Sequence, residues 1–136
     1  MIERVLEIGI AVRDLDKAIK LFTEVLGLTE GEMEVYQRYN MRFNLCRLGE
    51  VYFELIEPTA PEGPIAKFIE TYGEGLHHIA LKVSNVEETM THLKGKGIQF
   101  TEEAPLHLQV NYGRVKFAFA HPQSLHGVLL ELIEVI

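Results

Sequence analysis

Four ionisable residues sit at matching places in two pairs of look-alike segments. EIGIAV at 7–12 and HIALKV at 78–83 open on Glu7 and His78, while FELIE at 53–57 and LELIE at 130–134 carry Glu54 and Glu131 after their first residue. Such a group inside an apolar strand costs several kcal/mol in desolvation unless it stays wet, is paired or binds a cation. Carboxylates held close together raise one another's pKa, and a divalent cation relieves that repulsion. A mostly oxygen donor set suits a hard ion, Mn²⁺ or Mg²⁺, with Co²⁺, Fe²⁺ or Ni²⁺ as further occupants; a thiolate-type zinc site is excluded. Taken singly, each glutamate would be an ordinary solvated strand residue and the histidine a structural one. Taken as four equivalent positions of a repeat, they form a metal-binding set.

Alternation along the strands assigns the four to one face. Leu6, Ile8, Ile10 and Val12 share the face that packs on helices, which leaves Glu7, Gly9 and Ala11 on the other. In the second segment Ile79, Leu81 and Val83 turn to the helices and His78 lies with Ala80. The closing strands send Phe53, Leu55, Leu130 and Leu132 to the helix side, so Glu54 and Glu131 join Glu7 and His78. His77 then points to the helices in a structural role. His92 lies on a helix, and His107, His121 and His126 fall in or near turns.

The elements that hold these residues repeat as well. Residues 14–26 place Leu15, Ala18, Ile19, Phe22, Val25 and Leu26 on one helical stripe, with Asp14 as N-cap and Gly27 as the stop. Strands are predicted at about 32–38, 41–48 and 51–57. PTAPEGP at 58–64 breaks regular structure, and Pro64 starts a short helix to about Thr71. The strand GLHHIALKV follows, and then Ser84-Asn85-Val86-Glu87 reads as a capping box for a helix carrying Val86, Met90 and Leu93. The KGKG at 94–97 ends that helix, and strands at about 98–102, 114–120 and 127–135 complete the chain. The order β-α-β-β-β thus occurs twice. The registers differ by 71 residues at the first strand pair and 77 at the last, so the second copy carries about six extra residues, assigned to LHLQVNYG at 106–113.

Composition narrows the function classes. The chain has 136 residues, 13 Lys plus Arg against 20 Asp plus Glu, a formal net charge of −7 and no dense basic run, which disfavours nucleic acid and anionic membrane as partners. Cys46 is the only cysteine, so no intrachain disulfide forms and a reducing, cytoplasmic setting is expected. No apolar run approaches the ~20 residues of a membrane span, and the N-terminus does not read as a signal peptide.

At these residues the chain resembles the vicinal oxygen chelate (glyoxalase/bleomycin resistance/dioxygenase) superfamily, and within it the methylmalonyl-CoA epimerases. The segments that carry the likeness are IGIAVRDLDKAIKLFTEVLGL at 8–28, FELIEPTAPEGPIAKFIETYGEGLHHIALKV at 53–83, FAFAHPQS at 117–124 and GVLLELIE at 127–134. The resemblance implies an α+β fold: one domain over 1–136, built from two tandem βαβββ modules, about 1–58 and 75–136, with a linker and short helix at about 59–74. Its eight strands curl into a cup with helices outside. It implies metal ligands at Glu7, Glu54, His78 and Glu131, a homodimer, and an acyl-CoA as substrate.

The activity it implies is isomerisation through a metal-stabilised enolate next to a thioester carbonyl. Glu131 is then the first choice as base, Glu7 or Glu54 serves the second face, and Arg42 or Lys116 is available to neutralise a substrate carboxylate. A glyoxalase-type lyase acting on a hemithioacetal or other small carbonyl compound is the alternative, and a metal-free antibiotic-binding protein a third reading. Three departures from the epimerases stand out. Their histidine is replaced by Glu7; Gln123 stands where lysine often follows HP, and LHLQVNYG replaces a glycine-rich loop; and the 40–48 strand offers Arg42, Phe43 and Asn44 where a second catalytic carboxylate would stand. The first adds negative charge, which weakens a bound ion's Lewis acidity.

Overall fold

The computed structural model describes all residues, Met1–Ile136. Its elements are β1 (Ile2–Ala11), α1 (Leu15–Lys20), β2 (Met33–Tyr36), β3 (Met41–Leu48), β4 (Val51–Pro58), α2 (Pro64–Tyr72), β5 (Gly75–Val83), α3 (Val86–Lys94), β6 (Leu106–Val110), β7 (Gly113–Ala120) and β8 (Leu130–Val135). The β-α-β-β-β order does occur twice, with α2 between. The strands are ordered β2-β3-β4-β1-β5-β8-β7-β6 in an eight-stranded mixed sheet. β1 with β4 and β5 with β8 are parallel, whereas β2/β3, β3/β4, β6/β7 and β7/β8 are antiparallel. The chain divides into two compact units, Glu7–His77 and His78–Ile136 with Met1–Leu6.

In the Glu7–His77 unit, α1 covers one face of β1, β3 and β4. Its core joins Val12, Leu15, Ile19, Leu28, Cys46 and Leu55, with Ile10, Ala18, Phe22 and Phe53 packed against them. Asp14 caps α1 as expected, its side chain accepting from the Lys17 N–H at 3.1 Å. The long helical stripe does not hold to its end. Leu21–Val25 widens into a π-helical turn, with the Leu26 N–H donating to Leu21 O at 3.2 Å. The wider turn breaks the 3.6-residue period, so Val25 and Leu26 are exposed rather than buried. β2 is shorter than predicted, since Gln37–Tyr39 form a 3-10 turn and Asn40 takes a left-handed conformation at φ +51°. Gly63, which leads into α2, has φ +117°, and a Cβ there would stand 2.6 Å from Tyr39 O; only glycine fits.

In the second unit, α3 packs Val86 and Met90 on Val83, Ala118 and Leu132, with Leu81, Leu93, Phe100 and Leu130 around them. The helix starts one residue later than the capping-box reading: Asn85, not Ser84, is the N-cap and accepts from the Glu88 N–H at 2.9 Å. Asn caps as well as Ser does, and this frame buries Val86. Ile79, expected on the helix side, is 40% exposed.

The sixth strand is a larger correction. Residues 98–102 form only a bridge from Phe100 to Ala120, while LHLQV, read as an insertion, is β6, paired with β7 from Leu106↔Phe117 to Val110↔Gly113. Its period of two was there to read: Leu106, Leu108 and Val110 are the more buried positions, and His107 and Gln109 the exposed ones. His107 is therefore a strand residue. β8 begins at Leu130 rather than 127, because Pro122–Leu125 form a 3-10 turn that ends on His126 at φ +56°.

One device occurs in both units. Glu57, the last residue of FELIE, accepts from the Leu15 N–H at the start of α1 at 3.1 Å and from Arg42 Nε, and Arg42 also lies 3.7 Å from Asp16 in the first turn of that helix. Glu134, the last residue of LELIE, accepts from the Val86 N–H at the start of α3 at 2.8 Å; Lys116 lies 3.8 Å from it and 2.9 Å from Glu87 in that helix's first turn. Each closing strand thus satisfies an orphan helix N–H and places a carboxylate at the positive end of the helix. Replacing Glu57 or Glu134 by Ala strands that N–H and a cation, and is expected to cost about 1–3 kcal/mol in urea unfolding. Asp16→Asn, at an exposed site, should stay within about 0.5 kcal/mol.

The second cluster also carries a pH signature. Lys116 holds the Glu87 carboxyl below the usual range, and Glu87 raises the Lys116 ammonium above its usual value. A lowered carboxylate stabilises the fold above its unfolded pKa, and that contribution is lost as pH falls through the folded value. A raised lysine stabilises below its unfolded pKa, and that part is lost as pH rises through the folded value. The stability gap between the wild type and Lys116→Met should therefore be flat near neutrality and shrink toward both extremes, as read by urea midpoints across pH.

Candidate metal centre

β1 and β4 run parallel with Gly9 opposite Glu54, and Glu7 lies two residues before Gly9, so Glu7 and Glu54 share the sheet face away from α1. Both are buried, at 4% and 7% exposure. In the other unit β5 and β8 run parallel with Ala80 opposite Glu131, and His78 lies two residues before Ala80. The register is the same in both. His78 Nε2 lies 3.2 Å from Glu131 Oε1 with both side chains buried, and the His78 ring meets Phe119 edge-on at 5.5 Å between centroids. All four positions singled out in the sequence are buried, and each offers a ligand atom, these atoms lying within 4.8 Å of one another.

That spacing and chemistry fit a divalent ion. Two oxygen ligands on opposite sides of an ion with bonds of about 2.1 Å are about 4.2 Å apart, rising to about 5 Å for a larger ion, so the donors span one coordination shell. Three carboxylates and one imidazole form a hard, oxygen-rich set. The only thiol takes no part: Cys46 faces the α1 core, donates to Asn44 Oδ1 at 3.4 Å, and burial pushes its pKa up, away from the thiolate that a soft metal needs.

Other residues considered for the site are engaged elsewhere. Arg42 is held by Glu57 and Asp16, its pKa raised first of all by the hydrogen bond to Glu57, and Lys116 is held by Glu87 and Glu134. Both sit with the helix caps, which leaves neither poised to meet a substrate carboxylate. His77 packs edge-on against Phe68 of α2 at 4.9 Å, on the helix side as expected. His121 accepts from the Gln123 N–H through Nδ1, and His92 lies on α3.

On β3 the face shared with Glu54 carries Met41, Phe43 and Leu45, all buried, with Leu45 directly opposite Glu54. No carboxylate stands on that strand, as its sequence indicates. Arg42, Asn44 and Cys46 turn the other way, with Asn44 bonded to both the N–H and the C=O of Gly31.

Comparison with known proteins fixes the family. The Glyoxalase/Bleomycin resistance protein/Dioxygenase superfamily matches residues 7–133. The chain belongs to this superfamily. It is 32% identical over 131 residues to the mitochondrial methylmalonyl-CoA epimerase of Bos taurus, covering 95% of this chain and 73% of that protein. It is 30% identical over 132 residues to a probable lactoylglutathione lyase of Vibrio parahaemolyticus, covering 96% and 90%. A solved structure of a variant Streptomyces coelicolor methylmalonyl-CoA epimerase, in complex with 2-nitronate-propionyl-CoA, superposes with a TM-score of 0.91 at 28% identity over 99% of both chains. The fold of the superfamily member is thus that of the epimerases throughout its length.

Buried carboxylates at this spacing repel when no cation balances them. In chelator-stripped protein, Glu7→Gln should raise stability by about 1–3 kcal/mol, and with Mn²⁺ present that advantage should shrink or reverse. Thermal melts with and without Mn²⁺ read both effects.

Proposed function

We propose that this superfamily member is an isomerase of the methylmalonyl-CoA epimerase type, acting on a 2-substituted malonyl thioester and dependent on a divalent ion, Mn²⁺, Co²⁺ or Mg²⁺, held by Glu7, Glu54, His78 and Glu131. The observation that carries the reading is the buried Glu-Glu-His-Glu donor set in a chain whose likeness to epimerases extends over nearly its whole length. The domain acts as one functional piece over 1–136, as a homodimer in the cytoplasm.

The bound ion would supply Lewis acidity to substrate oxygens, which is worth several kcal/mol of charge stabilisation. The chain's own residues do the remaining work. Glu7, Glu54, His78 and Glu131 would hold the ion, and all four side chains are buried. Glu131, whose Oε1 lies 3.2 Å from His78 Nε2, would take the proton from the carbon between thioester and carboxylate. Isomerisation requires that a proton then be returned to the opposite side of that carbon. Phe43, Leu45 and Met41 line the face beside Glu54 with apolar surface, suited to a short alkyl substituent.

The lyase-like relative favours a second reading, a glyoxalase-type reaction on a hemithioacetal through the same donor set. The two separate in one experiment. Metal-stripped protein is resupplied with Mn²⁺ or Co²⁺ and given methylmalonyl-CoA in deuterated water. Metal-dependent deuterium incorporation at C2 is expected, with His78→Ala reducing it by about 100-fold or more. No exchange with either metal, together with turnover of a hemithioacetal, would replace the epimerase reading by the lyase one.

A further inference from the structure

We propose that Arg47, near the end of β3, binds the free carboxylate of the substrate; this rests on the epimerase reading above, whose substrate carries that carboxylate beside the thioester. In the Glu7–His77 unit two rows of residues cross the face that holds the donors. One is Gly9, Glu54 and Leu45, and the next is Glu7, Tyr52 and Arg47, each residue opposite its neighbour on the adjoining strand. Cys46 turns to the α1 core, so Arg47 beside it turns to the donor face. Arg47 and Glu7 are two strands apart, which puts their α-carbons about 10 Å from one another. An anion seated beside Glu7 is within reach of an extended arginine.

The charge of Arg47 is unspent. The residue is exposed, and the one bond its guanidinium makes in the protein runs from Nε to Gly49 O in the β3–β4 turn, at 2.8 Å. That bond anchors the side chain and leaves the two Nη nitrogens, a planar pair that matches the two oxygens of a carboxylate. Arg42 faces α1 and is held by Glu57 and Asp16. No other lysine or arginine stands on the donor face of this unit's strands. The repeat sharpens the assignment. In the second unit the places that match Tyr52 and Arg47, two residues before Glu131 and two after Phe119, hold Leu129 and His121. His121 already accepts the Gln123 N–H through Nδ1. The donor positions are repeated and the cation is not, which fits a ligand with one such anionic group.

Electrostatics gives that cation a task. Three carboxylates outweigh a divalent ion by one unit of charge, so a substrate carboxylate approaches a centre of its own sign. A guanidinium on the same face offsets the repulsion and supplies charge-assisted hydrogen bonds. Arg47 carries no proton in the reaction; its work is binding.

The test uses full-length, Mn²⁺-loaded protein and follows deuterium exchange at C2 of methylmalonyl-CoA. Arg47→Gln should raise KM by about tenfold or more while kcat stays within about threefold, and Arg47→Lys should recover part of the loss. Thermal midpoint and Mn²⁺ affinity should change little, because the residue is exposed and outside the donor set. Two further probes separate the carboxylate from the phosphates of coenzyme A as the anion that Arg47 meets. Propionyl-CoA keeps the phosphates and lacks the carboxylate, so its inhibition constant should be the same for the wild type and Arg47→Gln. The methylmalonyl thioester of pantetheine keeps the carboxylate and lacks the phosphates, and its KM should rise as that of methylmalonyl-CoA does. The reverse pattern, or no change with any of the three, would overturn the assignment and leave the epimerase reading in place. Absence of exchange in the wild type would instead sink that reading, and this assignment with it.

Discussion

The constraint on which this structure turns is electrostatic. Three carboxylates and an imidazole, all buried, bring donor atoms within 4.8 Å of one another. Carboxylates at such distances repel by several kcal/mol even in a fairly polarisable medium. A sequence that keeps them there accepts a cost that packing alone does not return, because aliphatic residues of similar volume would fill the same strand positions without it. The donor set therefore reads as a feature held for chemistry, and each unit as a frame that keeps its own strand pair, β1 with β4 or β5 with β8, in register.

That frame is built by a repeated local device. Glu54 and Glu57 are on one strand, three residues apart and on opposite faces, and so are Glu131 and Glu134. The first of each pair enters the donor set; the second bonds the opening N–H of the covering helix. A single strand thus fixes the helix on one side while it presents a ligand on the other. Arg42 and Lys116 complete the arrangement by pairing with the capping glutamate and with an acid in the helix's first turn. The two cations that a reading of charge alone offers to a substrate are in fact part of this frame.

The glutamate at position 7 changes the balance of the centre without changing its place. Glu7 and His78 stand in the same register to their partner strands, so an imidazole and a carboxylate occupy equivalent seats. For any cation held there, the extra negative charge would favour a hard ion.

The sequence by itself determined the module order and the strand faces that carry Glu7 with Glu54 and His78 with Glu131, because a period of two along a strand and a repeated tetrapeptide are local signals that survive any packing. EIGIAV and HIALKV, or FELIE and LELIE, could be aligned by eye. It did not determine where α1 stops being regular, since the π-helical turn at Leu21–Val25 is decided by how the helix meets its unit's sheet. Nor did it exchange the sixth strand from 98–102 to Leu106–Val110, which depends on antiparallel pairing to β7. Two further details were likewise tertiary. The engagement of Arg42 by Glu57 and of Lys116 by Glu87 needs groups 15 and 29 positions apart in sequence to be brought together. The inward turn of Glu34 opposes the hydropathy of its own strand and follows only from its register with β3.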